Sequence, residues 1–254
     1  MGLLPPEAFA HVFDPLQGKR IGYVRPRGNV GDALIEWAAV QLFDVFGIDW
    51  QLQDPDGPAD VDELVFAGGG SMGRLYDENW RLRGRCIERG RPMTILPQSF
   101  TSPEGRQYMR VYVRERGSLR YAPEGVLAPD LALGFDYATR VKPRRRLGVF
   151  LRKDGERALA RRWLCRDPAK ICRTPQQYLD LAARYEHIVT DRMHFAISGL
   201  IVGRRVTLLP NSYHKNASMH ETWLEDLGCR FAPDVKAALS ADQRTVVRVP
   251  GSAA

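Results

Sequence analysis

The sequence predicts an α/β protein of two lobes facing each other across a cleft, and three observations carry that expectation. Short apolar runs of strand length alternate with segments whose apolar residues recur near the helical period, the pattern of α/β units with parallel sheets. The alternation lapses once, from Thr139 to Arg146, which divides the chain into residues 1–140 and 141–254. Glycines, amides and cations gather directly after the strand-like runs, and ligands of parallel sheets sit at the carboxyl ends of strands.

Lys19 to Val24 reads as the first strand. Asp32 to Phe46 reads as a helix, with apolar residues at 34, 35, 38, 39, 42, 45 and 46; Asp32 suits its N-cap and Gly47 its C-terminal stop. Glu63 to Ala67 is a strand that runs into Gly68-Gly69-Gly70. Pro92 to Pro97 is another, Val111 to Val113 a third candidate, and Val126 to Leu133 holds one more. Strands are expected again at 147–151, 187–190 and 206–209, with helices at 175–185, 193–202 and 214–227. The polar tail from Ser240 is expected to be mobile.

Hydrophobic residues make up 44% of the 254 positions and charged residues 26%, which excludes wholesale disorder and supports a core without covalent staples. Cys86, Cys165, Cys172 and Cys229 form no C-x-x-C pair, so free buried thiols are expected rather than disulfides or a zinc site. Met1 to Glu7 has neither a basic nor an apolar leader character. The most apolar stretch, Met193 to Leu209, is interrupted at Gly203-Arg204-Arg205 and is too short for a membrane span, so a cytoplasmic protein is expected. The net charge of +7 comes mostly from arginine and includes no basic tail. That favours a local need for cations, around an anionic small molecule or beside an acidic membrane surface. Nucleic-acid binding ranks last, because a basic stripe interleaved with aromatics is missing.

Each strand-end loop offers chemistry. Gly28-Asn29-Val30-Gly31-Asp32 enters a helix with glycines that let backbone approach a ligand. Asn29 and Asp32 can bind hydroxyls there, Asp32 also as a base, although a tight turn and cap account for the same residues. Gly68-Gly69-Gly70-Ser71 presents bare backbone, either a ligand platform or a tight corner. Gln98 and Ser99 follow the next strand, and Arg114 opens a helix with a guanidinium near the cleft. In the second half Arg152-Lys153 ends one strand, and Arg192 and His194 open a buried helix. Asn211, Ser212, Tyr213, His214 and Lys215 close the next strand, a set suited to an oxyanion. Asp54-Pro55-Asp56 and Asp60-Val61-Asp62 match a loose D-x-D pattern but read better as solvated turns. His214 and His220 lack a third metal ligand at suitable spacing, and no serine sits in a G-x-S-x-G elbow. No metal or cofactor is expected.

The ordered set Gly28 to Asp32, Gly68 to Ser71, Leu96-Pro97-Gln98-Ser99, Val113-Arg114-Glu115-Arg116 with Ser118, Pro129-Asp130-Leu131-Ala132, Asp191-Arg192-Met193-His194 and the loop ending in Lys215 resembles the polysaccharide pyruvyl transferase family. The resemblance implies two Rossmann-like lobes of the glycosyltransferase B type. It also implies transfer of a pyruvate ketal from phosphoenolpyruvate to two hydroxyls of a sugar, in a surface polysaccharide or a lipid-linked repeat unit. Residues 1–140 would form the acceptor side and 141–254 the donor side. His194 would act as general acid/base and Asp32 would deprotonate or orient the acceptor. Arg152, Arg192, Asn211, Ser212 and Lys215 would hold the donor; Asn29, Gly69, Gly70, Ser71, Gln98, Ser99 and Arg114 would line the acceptor side. Phosphoenolpyruvate carries nearly three negative charges, and each charge-assisted hydrogen bond to it is worth ~1.5–3 kcal/mol. A lipid-linked acceptor would bring the protein to the inner face of the membrane. Two other readings stay open: a nucleotide-sugar glycosyltransferase of the same architecture, and a family member that binds glycan without catalysis.

Overall fold

The computed structural model describes residues 2–58, 60–158 and 166–246. The first half supplies β1 (Arg20–Val24), β2 (Asp49–Leu52), β3 (Glu63–Phe66), β4 (Gly69–Met72), β5 (Met93–Phe100), β6 (Arg110–Val113) and β7 (Val126–Leu127). These form one sheet in the order β2-β1-β3-β5-β6-β7, with β4 paired to β5 and each pairing parallel. The second half supplies β8 (Arg145–Phe150), β9 (Tyr185–Thr190), β10 (Arg205–Leu208) and β11 (Arg230–Phe231), a parallel sheet in the order β11-β10-β9-β8. The helices are α1 (Ala10–Phe13), α2 (Val30–Phe46), α3 (Asp77–Glu88), α4 (Pro168–Ile171), α5 (Pro175–Ala183), α6 (Met193–Ile201), α7 (Lys215–Met219) and α8 (Val235–Val246). From β1 the chain winds to β2 on one side and then to β3 on the other. The winding therefore reverses between β1 and β3, the position at which such sheets bind ligands.

The stripe Leu34, Ile35, Ala38, Ala39, Leu42 and Phe43 makes α2 a core helix. It packs against α5 and α6 of the second half, and one buried apolar cluster runs from Phe9 and Phe43 through Tyr178 and Phe195 to Leu224. The two sheets thus share a core, which fixes the loops of one half against those of the other. Asn29, not Asp32, caps α2. Asn29 Oδ1 accepts from the Gly31 N–H at 2.8 Å while Asp32 accepts from the Asn29 N–H at 2.7 Å, a reciprocal capping box. Gly47, at φ 63°, ends the helix as expected.

Several boundaries differ from the sequence reading. β5 continues through Gln98 and Ser99, where a loop was expected after Pro97. Proline cannot donate to a ladder, but the ladder is interrupted there: β3 pairing stops at Ile95, β4 pairing resumes at Gln98, and the β6 register shifts across the same residues. The glycine run is itself strand β4, entered at Gly69 with φ 148°. Val126 to Leu133 yields only the short β7 and a 3-10 turn over Leu131–Gly134, capped by Asp130. The helix expected after Arg114 is a single 3-10 turn, Arg116–Ser118. Residues 240–246 of the tail expected to be mobile belong to α8; the rest of that tail lies outside the described residues.

Arg83 and Glu104 form a buried two-pronged pair, with Nε–Oε1 at 2.8 Å and Nη2–Oε2 at 3.0 Å, that braces the end of β4. Arg83 also donates to Ser71 O at 3.3 Å, and Glu104 accepts from the Gly73 N–H at 2.9 Å. Cys86, Cys172 and Cys229 are free and buried, and burial pushes the Cys86 thiol up to about 11; Cys165 lies outside the described residues. Among the described residues no helix is long and apolar enough to cross a membrane.

Candidate active site

The loops after β1, β3, β8, β9 and β10 meet at one cavity of about 670 Å³. The first half contributes Asn29, Asp32, Gly69, Gly70, Ser71 and Arg114 to its wall, and the second contributes Arg152, Arg192, His194, Ser212 and Lys215. Gln98, Ser99 and Asn211 stand behind the wall instead. Gln98 donates to Ala67 O at 2.6 Å and accepts from the Ser71 N–H at 2.9 Å, clamping the glycine run. Ser99 accepts from Arg114 Nε at 2.8 Å and donates to Glu115 at 2.7 Å. Asn211 Oδ1 accepts from the Asn216 N–H at 3.1 Å. His214 turns away to Ser118, with Nε2 at 3.1 Å from its hydroxyl, and His220 Nε2 lies 2.9 Å from Cys229 O. Asp54, Asp56, Asp60 and Asp62 sit exposed in turns outside the wall.

Four cations of the wall, Arg114, Arg152, Arg192 and Lys215, are only 1–7% exposed, whereas Arg27 at its edge is exposed. Buried charge must be paired. Arg114 Nη1 bonds Asp130 at 2.8 Å, and Arg192 forks onto Asp167 at 3.0 and 2.7 Å and reaches Asp154 at 2.7 Å. Arg152 bonds Asp154 at 2.7 Å and Glu156 at 2.6 Å, and Lys215 bonds Glu156 at 2.5 Å. Sequence reasoning assigned no site role to Asp130, Asp154, Glu156, Asp167 or Tyr76, whose hydroxyl donates to Glu156 across the cavity. Burial lowers the Lys215 ammonium, reinforced by the Arg152 and Arg114 charges and opposed by Glu156. Burial would raise Glu156, but Lys215 and Arg152 outweigh it and hold its carboxyl well below the usual range. The side chains of Ser71 and Tyr213 end on the wall in buried oxygens with no protein partner, donors left for a ligand.

His194 opens α6 with its ring between the halves. Nε2 lies 3.2 Å from Asp130 Oδ2 and 3.3 Å from Arg114 Nη1. Nδ1 packs over Gly31, where an added Cβ would come within 2.9 Å of it; glycine makes room for the ring. Gly70 serves Arg114 in the same way, since a Cβ there would lie 2.9 Å from Nη2. Burial would raise the Asp130 carboxyl, but His194, Arg114 and the Ala132 N–H hold it well below the usual range. Asp32 gives Oδ2 to the capping box, and its side chain borders Gly69, whose added Cβ would lie 3.4 Å from Oδ1.

Asp191, behind the wall, accepts from the Arg152 N–H at 2.7 Å through Oδ1, while Oδ2 is buried without a partner. Burial pushes its carboxyl up to about 6, against the pull of that N–H, Arg152 and Arg192. A carboxyl whose folded value exceeds its unfolded value stabilises the fold below the unfolded value. That contribution is lost as pH rises through about 6. Asp191→Asn is therefore expected to stabilise the protein above pH 6, by up to about 3 kcal/mol, and to change little at pH 4. Urea melts at pH 4 and pH 8 check this; equal differences at both would contradict it.

Residues 29–213 match the family described as polysaccharide pyruvyl transferase. Among solved structures, the chain is similar to a functionally uncharacterized protein from Klebsiella pneumoniae subsp. pneumoniae NTUH-K2044, at 21% identity and a TM-score of 0.74. The match covers 89% of this chain and 97% of that one, a likeness of fold. None of the curated proteins matches. The family match takes in the strand-end loops from Asn29 to Tyr213, with Lys215 two residues beyond it, and so the chain belongs to the polysaccharide pyruvyl transferase family, whose members are transferases of polysaccharide biosynthesis.

Proposed function

We propose that this protein transfers the pyruvyl group of phosphoenolpyruvate to two hydroxyls of one sugar, forming a cyclic ketal and releasing phosphate. The observation that carries the reading is four buried cations and a carboxylate-held imidazole on one cavity wall at the strand ends. In this reading residues 1–140 form the acceptor side and 141–254 the donor side of a glycosyltransferase B-like pair of lobes. The acceptor belongs to a surface polysaccharide or to a lipid-linked repeat unit, met in the latter case at the inner face of the membrane.

The chemistry balances with these residues alone. A proton adds to the methylene carbon of the donor and its double-bond electrons form the new C–H bond. The adjacent carbon becomes oxocarbenium-like, and the first sugar hydroxyl adds to it and gives up its proton. The C–O bond to phosphate then breaks, the second hydroxyl closes the ring, and its proton leaves with the phosphate. With Nε2–H given to Asp130, His194 has Nδ1 free to exchange protons. Arg152, Arg192 and Lys215 hold the donor's anionic groups and stabilise the departing phosphate. Asp32 Oδ1 orients the acceptor hydroxyl from the opposite wall.

A continuous phosphate-release assay with phosphoenolpyruvate and a panel of sugar acceptors tests this. Acceptor-dependent release, with a product heavier by the pyruvate ketal, is expected. Turnover of nucleotide sugars in place of phosphoenolpyruvate would overturn it.

A further inference from the structure

The four buried cations of the wall are already paired: Arg114, Arg152, Arg192 and Lys215 bond Asp130, Asp154, Asp167 and Glu156. A donor with several negative charges cannot simply be added to such a wall. One of the resident carboxylates has to give way, and the structure distinguishes them. Asp130, Asp154 and Asp167 also serve the fold, Asp154 by accepting from the Glu156 N–H at 3.2 Å. Asp130 accepts from the Ala132 N–H at 2.9 Å, and Asp167 accepts from the Ala169 and Lys153 N–H groups at 3.0 and 2.8 Å.

Glu156 is different. Its side chain has only side-chain partners: Arg152 Nη1 at 2.6 Å, Lys215 Nζ at 2.5 Å and the Tyr76 hydroxyl on the cavity wall, and Asn211 Nδ2 at 3.4 Å from behind it. Oε1 takes the Tyr76 hydroxyl and Oε2 the other three, so both oxygens of a planar carboxylate are held. Gly155 and Arg157 are exposed, Asp154 is partly exposed with its carboxylate on Arg152 and Arg192, and Glu156 is the buried residue of this turn. The Ser212 N–H donates to Glu156 O at 2.9 Å, which anchors the backbone. The side chain can therefore leave by rotation while the turn stays in place.

We propose that Arg152, Asn211, Lys215 and Tyr76 form a carboxylate seat, occupied by Glu156 in the free protein, and that the carboxylate of the donor takes the seat when Glu156 swings out. The identity of the donor rests on the reading above; the seat itself requires only a small carboxylate ligand. The exchange is like for like in shape and charge, so the buried cations never stand unpaired. The Ser71 and Tyr213 hydroxyls remain for the rest of the ligand. The seat also makes the site choosy, because a phosphate ester with no carboxylate has nothing of the right shape to replace Glu156.

The test is calorimetric binding of pyruvate, a carboxylate without phosphate, to the full chain. Glu156→Ala removes the internal competitor and is expected to tighten pyruvate binding about tenfold, which corresponds to ~1.4 kcal/mol. Asp154→Ala removes the same charge, 2.7 Å from both Arg152 and Arg192, but opens the Nε–Nη2 edge of Arg152 and leaves Glu156 in the seat, and is expected to change pyruvate binding much less. Glu156→Gln keeps the shape and should fall between them; it also serves if the alanine variant fails to fold. Equal gains from Asp154→Ala and Glu156→Ala would reduce the effect to general electrostatics and overturn the seat. Unchanged or weaker pyruvate binding in the Glu156 variants would overturn it too. If phosphoenolpyruvate turnover holds while those binding constants stay put, the seat alone fails. If the binding constants move as expected without turnover of phosphoenolpyruvate on any sugar, the transfer reading alone fails.

Discussion

His194→Ala is expected to lower pyruvyl transfer by ~10²–10⁴-fold, the usual contribution of a positioned general acid or base. The fold should tolerate it. The ring is 12% exposed, and its loss leaves Asp130 with Arg114 at 2.8 Å and the Ala132 N–H at 2.9 Å, so no buried charge is orphaned. Rate and stability should therefore separate: the melting temperature stays near that of the unaltered chain while phosphate release collapses. Phosphate-release rates beside thermal melts check the pair. Turnover within a factor of two of the unaltered protein would remove His194 from the chemistry.

Glu104→Ala should act on stability, by ~3–5 kcal/mol, because removing one partner of a buried ion pair leaves the other charge stranded. Arg83, fully buried, would retain only the Ser71 carbonyl at 3.3 Å among its bonded partners. The Gly73 N–H and the Tyr108 hydroxyl would lose their acceptor as well. Ser71 and Gly73 flank the end of β4, which forms part of the cavity wall, so the variant that still folds should also bind ligand less well. Urea unfolding measures the first effect, and a loss below about 1 kcal/mol would mean that the pair contributes little.

Much of the scaffold was legible because burial writes itself into apolar runs. β1, β3, β8, β9 and β10 are the runs that end in glycine, cation or amide, and their loops do meet at one cavity. What the sequence hid, it hid for physical reasons. α3 was not foreseen because its buried face mixes Leu82 and Cys86 with Asn79 and Arg83, which erases the apolar period. β2 is a four-residue edge strand with little burial: Asp49-Trp50-Gln51-Leu52 alternates polar and apolar, but too briefly to stand out, and Leu52 is exposed. Pro97 looked like a strand end because the interruption of the ladder that admits it depends on β4 and β6.

At the site, the cations were legible and their counterions were not. Tyr76 and Glu156 stand 80 positions apart, as do Arg114 and His194, and no local pattern joins them. One signal was available. Cations destined for burial require carboxylates nearby, and Asp154 and Glu156 follow Arg152 by two and four positions.

The most direct test is a crystal structure of the protein soaked with phosphoenolpyruvate. The expected result is the donor lying between Arg152, Arg192 and Lys215, its methylene carbon toward His194 and the Glu156 side chain turned out. A donor bound away from these cations, or none at concentrations that support turnover, would contradict the account.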